Sequence, residues 1–152
     1  TEFGAALLRV QLERYPEQLA VREARAAILD AGLSGIPGIT PQPNPIEMTR
    51  RSYHLYCIRF DEAKFGMDRA AFLAAAKSAG LPIGAGYPLP LYEQPLFQKF
   101  LDRHDYNGCQ CPVTEALCAR EGLWIQQTAL LLSESHMTSI IEGIASIHAG
   151  GH

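Results

Sequence analysis

Apolar side chains recur at helical spacing over residues 1–33, and this regularity predicts a long helical segment. Its apolar members are Phe3, Leu7, Leu8, Val10, Leu12, Tyr15, Leu19, Ala24, Ile28 and Ala31. Pro16 either divides the segment into two helices or kinks one, since proline lacks the N–H that the helical ladder uses. Gly32 and Gly35 are expected to end it. Because apolar residues surround most of its first part, we expect something to cover that part.

Three later segments have the pattern of β-strands. Residues 52–60 alternate and are rich in β-forming residues, and shorter candidate strands follow at 81–85 and 123–128. Helical patterns are found at 69–79, 96–101, 112–120 and 133–148. Asp68 and Ser133 are expected to cap the first and last of these helices. The order of elements predicts an α+β fold, with a small, largely antiparallel three-stranded sheet, helices on one face, and a long kinked linker helix in front.

Prolines mark two irregular segments. Residues 36–48 contain four prolines and are predicted to form an extended connector. Residues 86–97 read GYPLPLYEQPLF. Proline stiffens the backbone and keeps it out of a central strand, so Tyr87 and Tyr92 would project from a rigid loop, each offering an apolar ring and a hydroxyl to a polar substrate. We interpret this loop as a candidate wall of a ligand site; the alternative is a proline-rich loop whose tyrosines only seal the surface.

The composition is that of a single folded domain with no special partner. The chain has 152 residues, of which 47% are hydrophobic and 19% charged, enough for one core. A net charge of -3 without a basic cluster gives no reason to expect nucleic acid or an anionic membrane as partner. No apolar run or signal pattern indicates membrane insertion or secretion, so a cytoplasmic location and reduced cysteines are expected. The helical pattern begins directly at Thr1 without methionine, as if the chain had been cut from something longer.

Residues that commonly bind metals or act as nucleophiles do not form a recognisable constellation. Cys109, Cys111 and Cys118 offer three soft ligands, but a structural zinc site needs four, usually in paired units, so no metal is predicted. The histidines are scattered, with no pair at helical spacing. A small stand-alone enzyme using His54 and Asp61 is a further alternative with little support, because neither residue belongs to a known motif.

Lysines are few, and each lies on or beside a predicted charged helix face. They are Lys64, Lys77 and Lys99. A solvated ammonium keeps its high pKa, so none of the three has the desolvated setting of a Schiff-base amine. The residues themselves therefore indicate a surface that can line a substrate site, without a nucleophile or a cofactor anchor.

Several stretches together point to a known family. They are TEFGAALL at 1–8, QLE at 11–13, YHLYCIRF at 53–60, the loop 86–97, CPVTE at 111–115 and LWIQQ at 123–127. In this order they resemble the C-terminal part of the sugar and aminocyclitol aminotransferases of the DegT/StrS type, which are fold-type I pyridoxal-phosphate enzymes. The loop is most similar to the scyllo-inosose aminotransferase branch, which acts on keto-inositols, whereas many sugar-nucleotide enzymes place a histidine where Tyr92 stands.

The resemblance implies a division of the chain and a set of site residues. Residues 1–34 would be the helical linker between the large and small domains, and 35–152 the C-terminal small domain. The Schiff-base lysine, the aspartate facing the pyridine nitrogen and the phosphate ligands would lie upstream, so no catalytic or cofactor-binding residue is assigned. Tyr87, Tyr92 and Gln94 would line the substrate side of the cofactor.

The resemblance also implies an activity. The complete enzyme would use pyridoxal 5'-phosphate (PLP) to move an amino group from glutamine or glutamate to a cyclic ketone, either a keto-inositol or a keto-sugar, in aminoglycoside or aminosugar biosynthesis. Its partners would be the missing large domain, a small-molecule substrate and a second copy in a homodimer. The chain alone would be inactive and would bind PLP weakly or not at all. The competing interpretation is a free-standing, non-catalytic binding module whose apolar first helix pairs with another chain.

Overall fold

The computed structural model describes residues 1–99 and 110–150. In these ranges the helices are α1 (Glu2–Leu33), α2 (Glu62–Phe65), α3 (Arg69–Ser78), α4 (Pro95–Gln98), α5 (Pro112–Ala116) and α6 (Glu134–His148). The strands are β1 (Ile39–Pro41), β2 (Leu55–Phe60), β3 (Ile83–Ala85) and β4 (Gly122–Gln126). The end of the helix expected at 96–101 and Cys109 lie outside the described residues, as do residues 104–108, whose sequence HDYNG is typical of a turn.

Helix α1 runs through Pro16 as a single element, so the prediction of one helix holds against that of two. Its first half is exposed, since every residue from 1 to 17 is open to solvent. Its second half enters the core along one stripe, whose members are Leu19, Arg22, Ala26, Leu29 and Leu33. The helix ends between the two predicted glycines, but Gly32 is needed for packing, because a Cβ there would lie 2.3 Å from the Cδ1 atom of Ile141 on α6.

The sheet confirms the α+β class and the antiparallel pairing, but it has four strands among the described residues and not three. The order is β1-β2-β4-β3, and all three pairings are antiparallel. The additional strand, β1, lies in the proline-rich segment that was predicted to be a connector only. Proline is tolerated there because β1 is at the edge of the sheet and Pro41 is its last residue, opposite Ile58.

One face of the sheet packs against the helices. Alternate residues of β2 and β4 point into the core, namely Tyr56, Ile58, Phe60, Leu123 and Ile125. Phe60 also packs with Phe65 and Phe72, the three rings lying 5.0 to 5.2 Å apart between centroids. The opposite face carries Cys57 and Trp124, which are half-buried. On this opposite face, the loop that follows β3 contacts the sheet through Trp124.

The predicted helix caps differ in outcome. Asp68 caps α3 as expected, its carboxylate accepting a hydrogen bond from the Ala71 N–H at 2.8 Å. Ser133 precedes α6, but its hydroxyl lies 2.6 Å from the Nδ1 atom of His136 and makes no hydrogen bond to a backbone N–H of the first turn. Thr1 caps α1, its side-chain oxygen accepting a hydrogen bond from the Gly4 N–H at 3.2 Å.

The helix predicted at 112–120 is also irregular. It is α-helical only to Ala116 and then widens into a π-helical turn over Leu117–Glu121 before Gly122 starts β4. No helix in the part of the chain that the structure describes has the length and apolarity required to cross a membrane.

Candidate functional site

The loop between β3 and α4, residues 86–97, starts at the edge of the sheet. The Gly86 N–H donates to the carbonyl of Gly122 at 3.0 Å, so the loop leaves β3 while still paired to the start of β4. Pro90 is buried, and the chain then forms a 3-10 turn at Leu91–Glu93 followed by α4. Proline and backbone pairing together fix where the tyrosines stand.

The Tyr87 ring packs against Trp124, the only tryptophan of the chain. The two rings meet edge to face, with centroids 4.8 Å apart and planes at 85°. Tyr87 nevertheless stays 65% exposed, and its hydroxyl has no hydrogen bond to any residue in the described ranges. The ring is thus held in place while the hydroxyl faces solvent.

Tyr92 is tied to the start of α5. Its hydroxyl donates a short hydrogen bond to the Glu115 carboxylate, which also accepts the N–H of Cys111 at 3.0 Å. The same N–H lies 3.4 Å from the tyrosine oxygen. A carboxylate is favoured at this position because the first turn of a helix leaves its N–H groups unpaired. We call Tyr92, Cys111 and Glu115 the clasp.

Hydrogen bonding in the clasp changes the pKa of both side chains. The bond from Tyr92, and then the Cys111 N–H, lower the pKa of Glu115 below its ordinary 4.5. The bond to Glu115, with some burial, raises the pKa of Tyr92 to about 12. The clasp therefore needs an ionised Glu115 and a protonated Tyr92, and its contribution to stability is lost as the pH falls below 4.5 through the lowered pKa, or as it rises through 10 toward 12.

Acidification is expected to release the loop before the core unfolds. As the pH falls below 4.5 and through the lowered pKa of Glu115, the protonated carboxyl no longer accepts both hydrogen bonds, and the Tyr87 contact with Trp124 loosens. Tryptophan fluorescence should report this step, with far-UV circular dichroism unchanged over the same range. In the control variant Glu115→Gln the step should be absent; an identical fluorescence transition in that variant would show that the clasp does not hold the loop.

Arg69, a residue that the sequence pattern did not single out, supports this region from the side. Its guanidinium donates to the carbonyl oxygens of Gly122 at 3.1 Å, Cys118 at 3.2 Å and Ala119 at 2.6 Å. The π-helical turn leaves the carbonyls of Cys118 and Ala119 without regular helical partners, and the Arg69 guanidinium supplies the missing donors. This turn connects α5 to β4, so it helps to fix the position of Glu115 on α5 relative to Trp124 on β4.

The remaining candidates are dispersed. Gln94 follows the 3-10 turn and is half-buried, its backbone N–H bonded to the carbonyl of Leu91 at 3.2 Å. His54 is exposed ahead of β2, whereas Asp61 lies at the other end of that strand and caps α2 through the Lys64 N–H at 3.1 Å. The structure therefore does not bring His54 and Asp61 together. In residues 1–99 and 110–150, no group of three or more His, Cys, Asp or Glu side chains is arranged to hold a metal ion.

Comparison with known proteins identifies the family. Residues 1–145 match the DegT/DnrJ/EryC1/StrS aminotransferase family. The chain belongs to this family. Among the relatives of this DegT/StrS-type chain is the L-glutamine:2-deoxy-scyllo-inosose aminotransferase of Micromonospora echinospora, 35% identical over 98% of the chain and 37% of that protein. Another is a putative L-glutamine:3-amino-2,3-dideoxy-scyllo-inosose aminotransferase of Streptomyces kanamyceticus, 30% identical over 97% of the chain and 38% of that protein.

Solved structures agree with the family and the fold. The crystal structure of 3-amino-5-hydroxybenzoic acid synthase superposes with a TM-score of 0.76 at 28% identity, over 96% of this chain and 38% of that one. The aminotransferase TlmJ from Streptoalloteichus hindustanus gives a TM-score of 0.67 at 26% identity, over 95% of this chain and 36% of that one. The DegT/StrS-type chain thus spans less than two-fifths of the length of the relatives it matches.

The DegT/StrS-type aminotransferases depend on PLP, but the described residues of this chain do not fit an anchor for it. A PLP anchor needs a lysine amine held in a closed site. Lys64 is paired with Asp61 at 3.0 Å with its side chain 73% exposed, and Lys77 and Lys99 are exposed as well. None of these three lysines has the closed setting that such an anchor needs.

Proposed function

We propose that this chain is the C-terminal part of a PLP-dependent aminotransferase that transfers an amino group from glutamine or glutamate to a cyclic ketone, a keto-inositol or keto-sugar of aminocyclitol and aminoglycoside biosynthesis. The family match and the names of the scyllo-inosose aminotransferase relatives support this reaction class. A large domain, a homodimeric assembly and a cytoplasmic location belong to the same proposal. Residues 1–34 would serve as the linker and 35–152 as the small domain.

The observation that carries the proposal is the rigid tyrosine loop. Tyr87 presents an exposed hydroxyl on a ring held by Trp124, and Tyr92 is fixed by Glu115. A polyhydroxylated ring needs such a surface, an aromatic plane for its C–H face and hydroxyl or amide groups for its oxygens. Tyr87 would make the most direct contact, because its hydroxyl is not engaged elsewhere in the described residues. Tyr92 and Gln94 would complete the wall.

The chain would act by positioning the substrate. Loop residues held firmly in place orient the carbonyl carbon toward the cofactor, which supplies the chemistry of amino transfer when bound. Water would be excluded by the apolar side chains of the same loop, such as Leu89 and Leu91. Proton transfer would fall to residues outside this chain, and the chain alone should not transaminate.

A chimera tests the proposed function. This chain would replace the matching 37% of the Micromonospora echinospora aminotransferase, and the product would be assayed for glutamine-dependent amination of 2-deoxy-scyllo-inosose. Activity above that of the truncated enzyme is the expected result. A chimera that folds and shows the visible absorption band of bound cofactor, yet aminates neither keto-inositols nor keto-sugars, would refute the proposal.

Within the active chimera, Tyr87→Phe and Tyr92→Phe are each expected to lower kcat/KM about 10- to 100-fold. This range corresponds to the loss of one or two hydrogen bonds to a substrate hydroxyl, at ~1.5–3 kcal/mol in total. Tyr53→Phe provides the matched control, because Tyr53 is buried in the core and lies outside the loop, so it should change kcat/KM less than about 2-fold, within about 0.4 kcal/mol. Equal losses in all three variants would mean that the loop tyrosines act on stability alone.

A further inference from the structure

Arg22 is a buried cation with an incomplete set of partners. It lies on the packed half of α1 and is only 4% exposed. Its Nη1 donates to the side-chain oxygen of Gln127 at 3.0 Å, and its guanidinium carbon lies 5.4 Å from the centre of the Tyr15 ring. Its Nε has no hydrogen-bond partner among the residues that the structure describes. A buried guanidinium satisfied only by a neutral amide and a ring is unfavourable, since such a charge normally has a carboxylate beside it.

Two other arginines of the chain each pair with a carboxylate, as charged side chains usually do. Arg25, one turn further along α1, binds Glu134 at 2.8 Å, and Arg59 binds Glu121 at the same distance. Both are more exposed than Arg22. Within residues 1–99 and 110–150, no ion pair includes Arg22. The most buried arginine of the described chain therefore lacks a counter-charge.

A groove of about 390 Å³ opens beside this side chain. Its polar lining comes from Gln11, Arg14, Tyr15, Gln18, Arg22 and Gln127. Two guanidiniums, three amides and a phenol give many hydrogen-bond donors, and no carboxylate is present among the described lining residues. This donor set suits a carboxylate better than any neutral or cationic group.

The rim of the groove is apolar. Leu8 and Leu12 line it and are 55% and 57% exposed, and Phe3, Leu7 and Val10 continue the apolar surface along the same half of α1. A small zwitterion would leave these side chains in water, whereas a protein surface would cover them while delivering its own charge into the groove.

We propose that the groove beside Arg22 receives the carboxylate of an aspartate or glutamate on a protein surface that covers the first half of α1. The incoming carboxylate would accept hydrogen bonds from the Arg22 guanidinium and from Arg14, and apolar side chains around it would pack on Leu8 and Leu12. The inference stands on Arg22 and its groove and does not require that the proposed transamination be correct.

The site can be tested on the isolated chain with simple anions. The Nε–H resonance of Arg22 would be followed by NMR during titration with sodium acetate and sodium butyrate, each against sodium chloride at matched ionic strength. A saturable shift with carboxylates and not with chloride is expected, with half-saturation at roughly 10–100 mM, as one charge-assisted pair provides. Butyrate should bind several-fold more tightly than acetate, because its methylene groups contact the apolar rim.

Three results would overturn the proposal. A carboxylate-independent shift would mean that the groove does not select this group. Binding of L-glutamate or L-glutamine at least tenfold tighter than butyrate would assign the groove to a free amino acid and not to a protein surface. Equal affinities for acetate and butyrate would show that the apolar rim formed by Leu8 and Leu12 does not contribute to binding, which also contradicts the proposal.

Variants separate the role of Arg22 from general effects on folding. Carboxylate binding should also raise the thermal unfolding temperature of the wild-type chain, and Arg22→Met should abolish this increase. In chloride the variant should be no less stable than wild type, since the substitution removes an unpaired buried charge. Arg9→Met on the exposed part of α1 is the matched control and should behave as wild type. If Arg22→Met does not fold, Arg14→Gln offers a second variant, for which weaker but still saturable binding is expected; unchanged binding there would count against the groove.

Discussion

Replacing Gly38 with alanine is expected to destabilise the domain by about 2–5 kcal/mol. Gly38 has φ +80°, a left-handed conformation that costs other residues ~1–2 kcal/mol. An added Cβ would lie 2.6 Å from the backbone nitrogen of Phe65 and 2.7 Å from the carbonyl oxygen of Asp61. Neither backbone atom can move freely, because the Gly38 carbonyl accepts the Asp61 N–H at 2.8 Å. Overpacking adds a further ~1–3 kcal/mol.

Equilibrium denaturation with urea would measure this loss, and Gly35→Ala is its control. A Cβ added to Gly35 would meet no atom within 4 Å, and the residue does not have a left-handed conformation, so its replacement should change the free energy of unfolding by less than about 1 kcal/mol. Similar effects of the two substitutions would show that the turn after α1 can rearrange and does not fix the connection to β1.

The second large effect is expected from Arg69→Met, which should cost about 2–4 kcal/mol. The substitution keeps most of the apolar stem and removes a guanidinium that serves three carbonyl groups of the π-helical turn and β4. The Gly122 carbonyl keeps the Gly86 N–H, whereas the Cys118 and Ala119 carbonyls lose a partner, and each such loss costs up to ~1–3 kcal/mol, reduced here because water reaches part of the site. Since the turn joins Glu115 to Trp124, fluorescence of the tryptophan should change together with stability.

Arg59→Met is the comparison for Arg69→Met. Arg59 pairs with Glu121 at 2.8 Å, but its side chain is 61% exposed, and such surface pairs contribute at most about 1 kcal/mol. If Arg69→Met proved as mild as Arg59→Met and left the fluorescence unchanged, the π-helical turn would be held by its own backbone and the clasp would not depend on Arg69.

Local patterns were enough to predict much of the fold. The β2 strand, α3 with its Asp68 cap and the apolar stripe of α6 follow from periodicity and capping chemistry that act over a few residues. Strand β1 could not be predicted in this way, because three residues with a terminal proline become a strand only when β2 lies beside them. The π-helical turn was missed for a similar reason, since its stability depends on Arg69, 50 positions before Ala119.

The site was predicted in part. The proline spacing predicts a loop outside the sheet, and the structure places Tyr87 and Tyr92 on such a loop, whereas its stiffness and the role of the tyrosines toward a substrate stay predictions. Their partners, Trp124 and Glu115, were not predicted to hold the loop, because contacts across 23 or more residues leave no periodic signal in a single sequence. The motif CPVTE at 111–115 contributes to the family resemblance, and only the geometry shows that its cysteine and its glutamate belong to the clasp.

The two outer strands of the sheet limit how this domain can meet other proteins. Both β1 and β3 are three residues long, and β1 finishes on a proline, so each offers very few free amide and carbonyl groups along its open side. Such short borders resist continuation of the sheet into a neighbouring molecule. Association of this domain with other chains should therefore proceed through side chains, and a crowded solution of it should stay free of strand-mediated fibres.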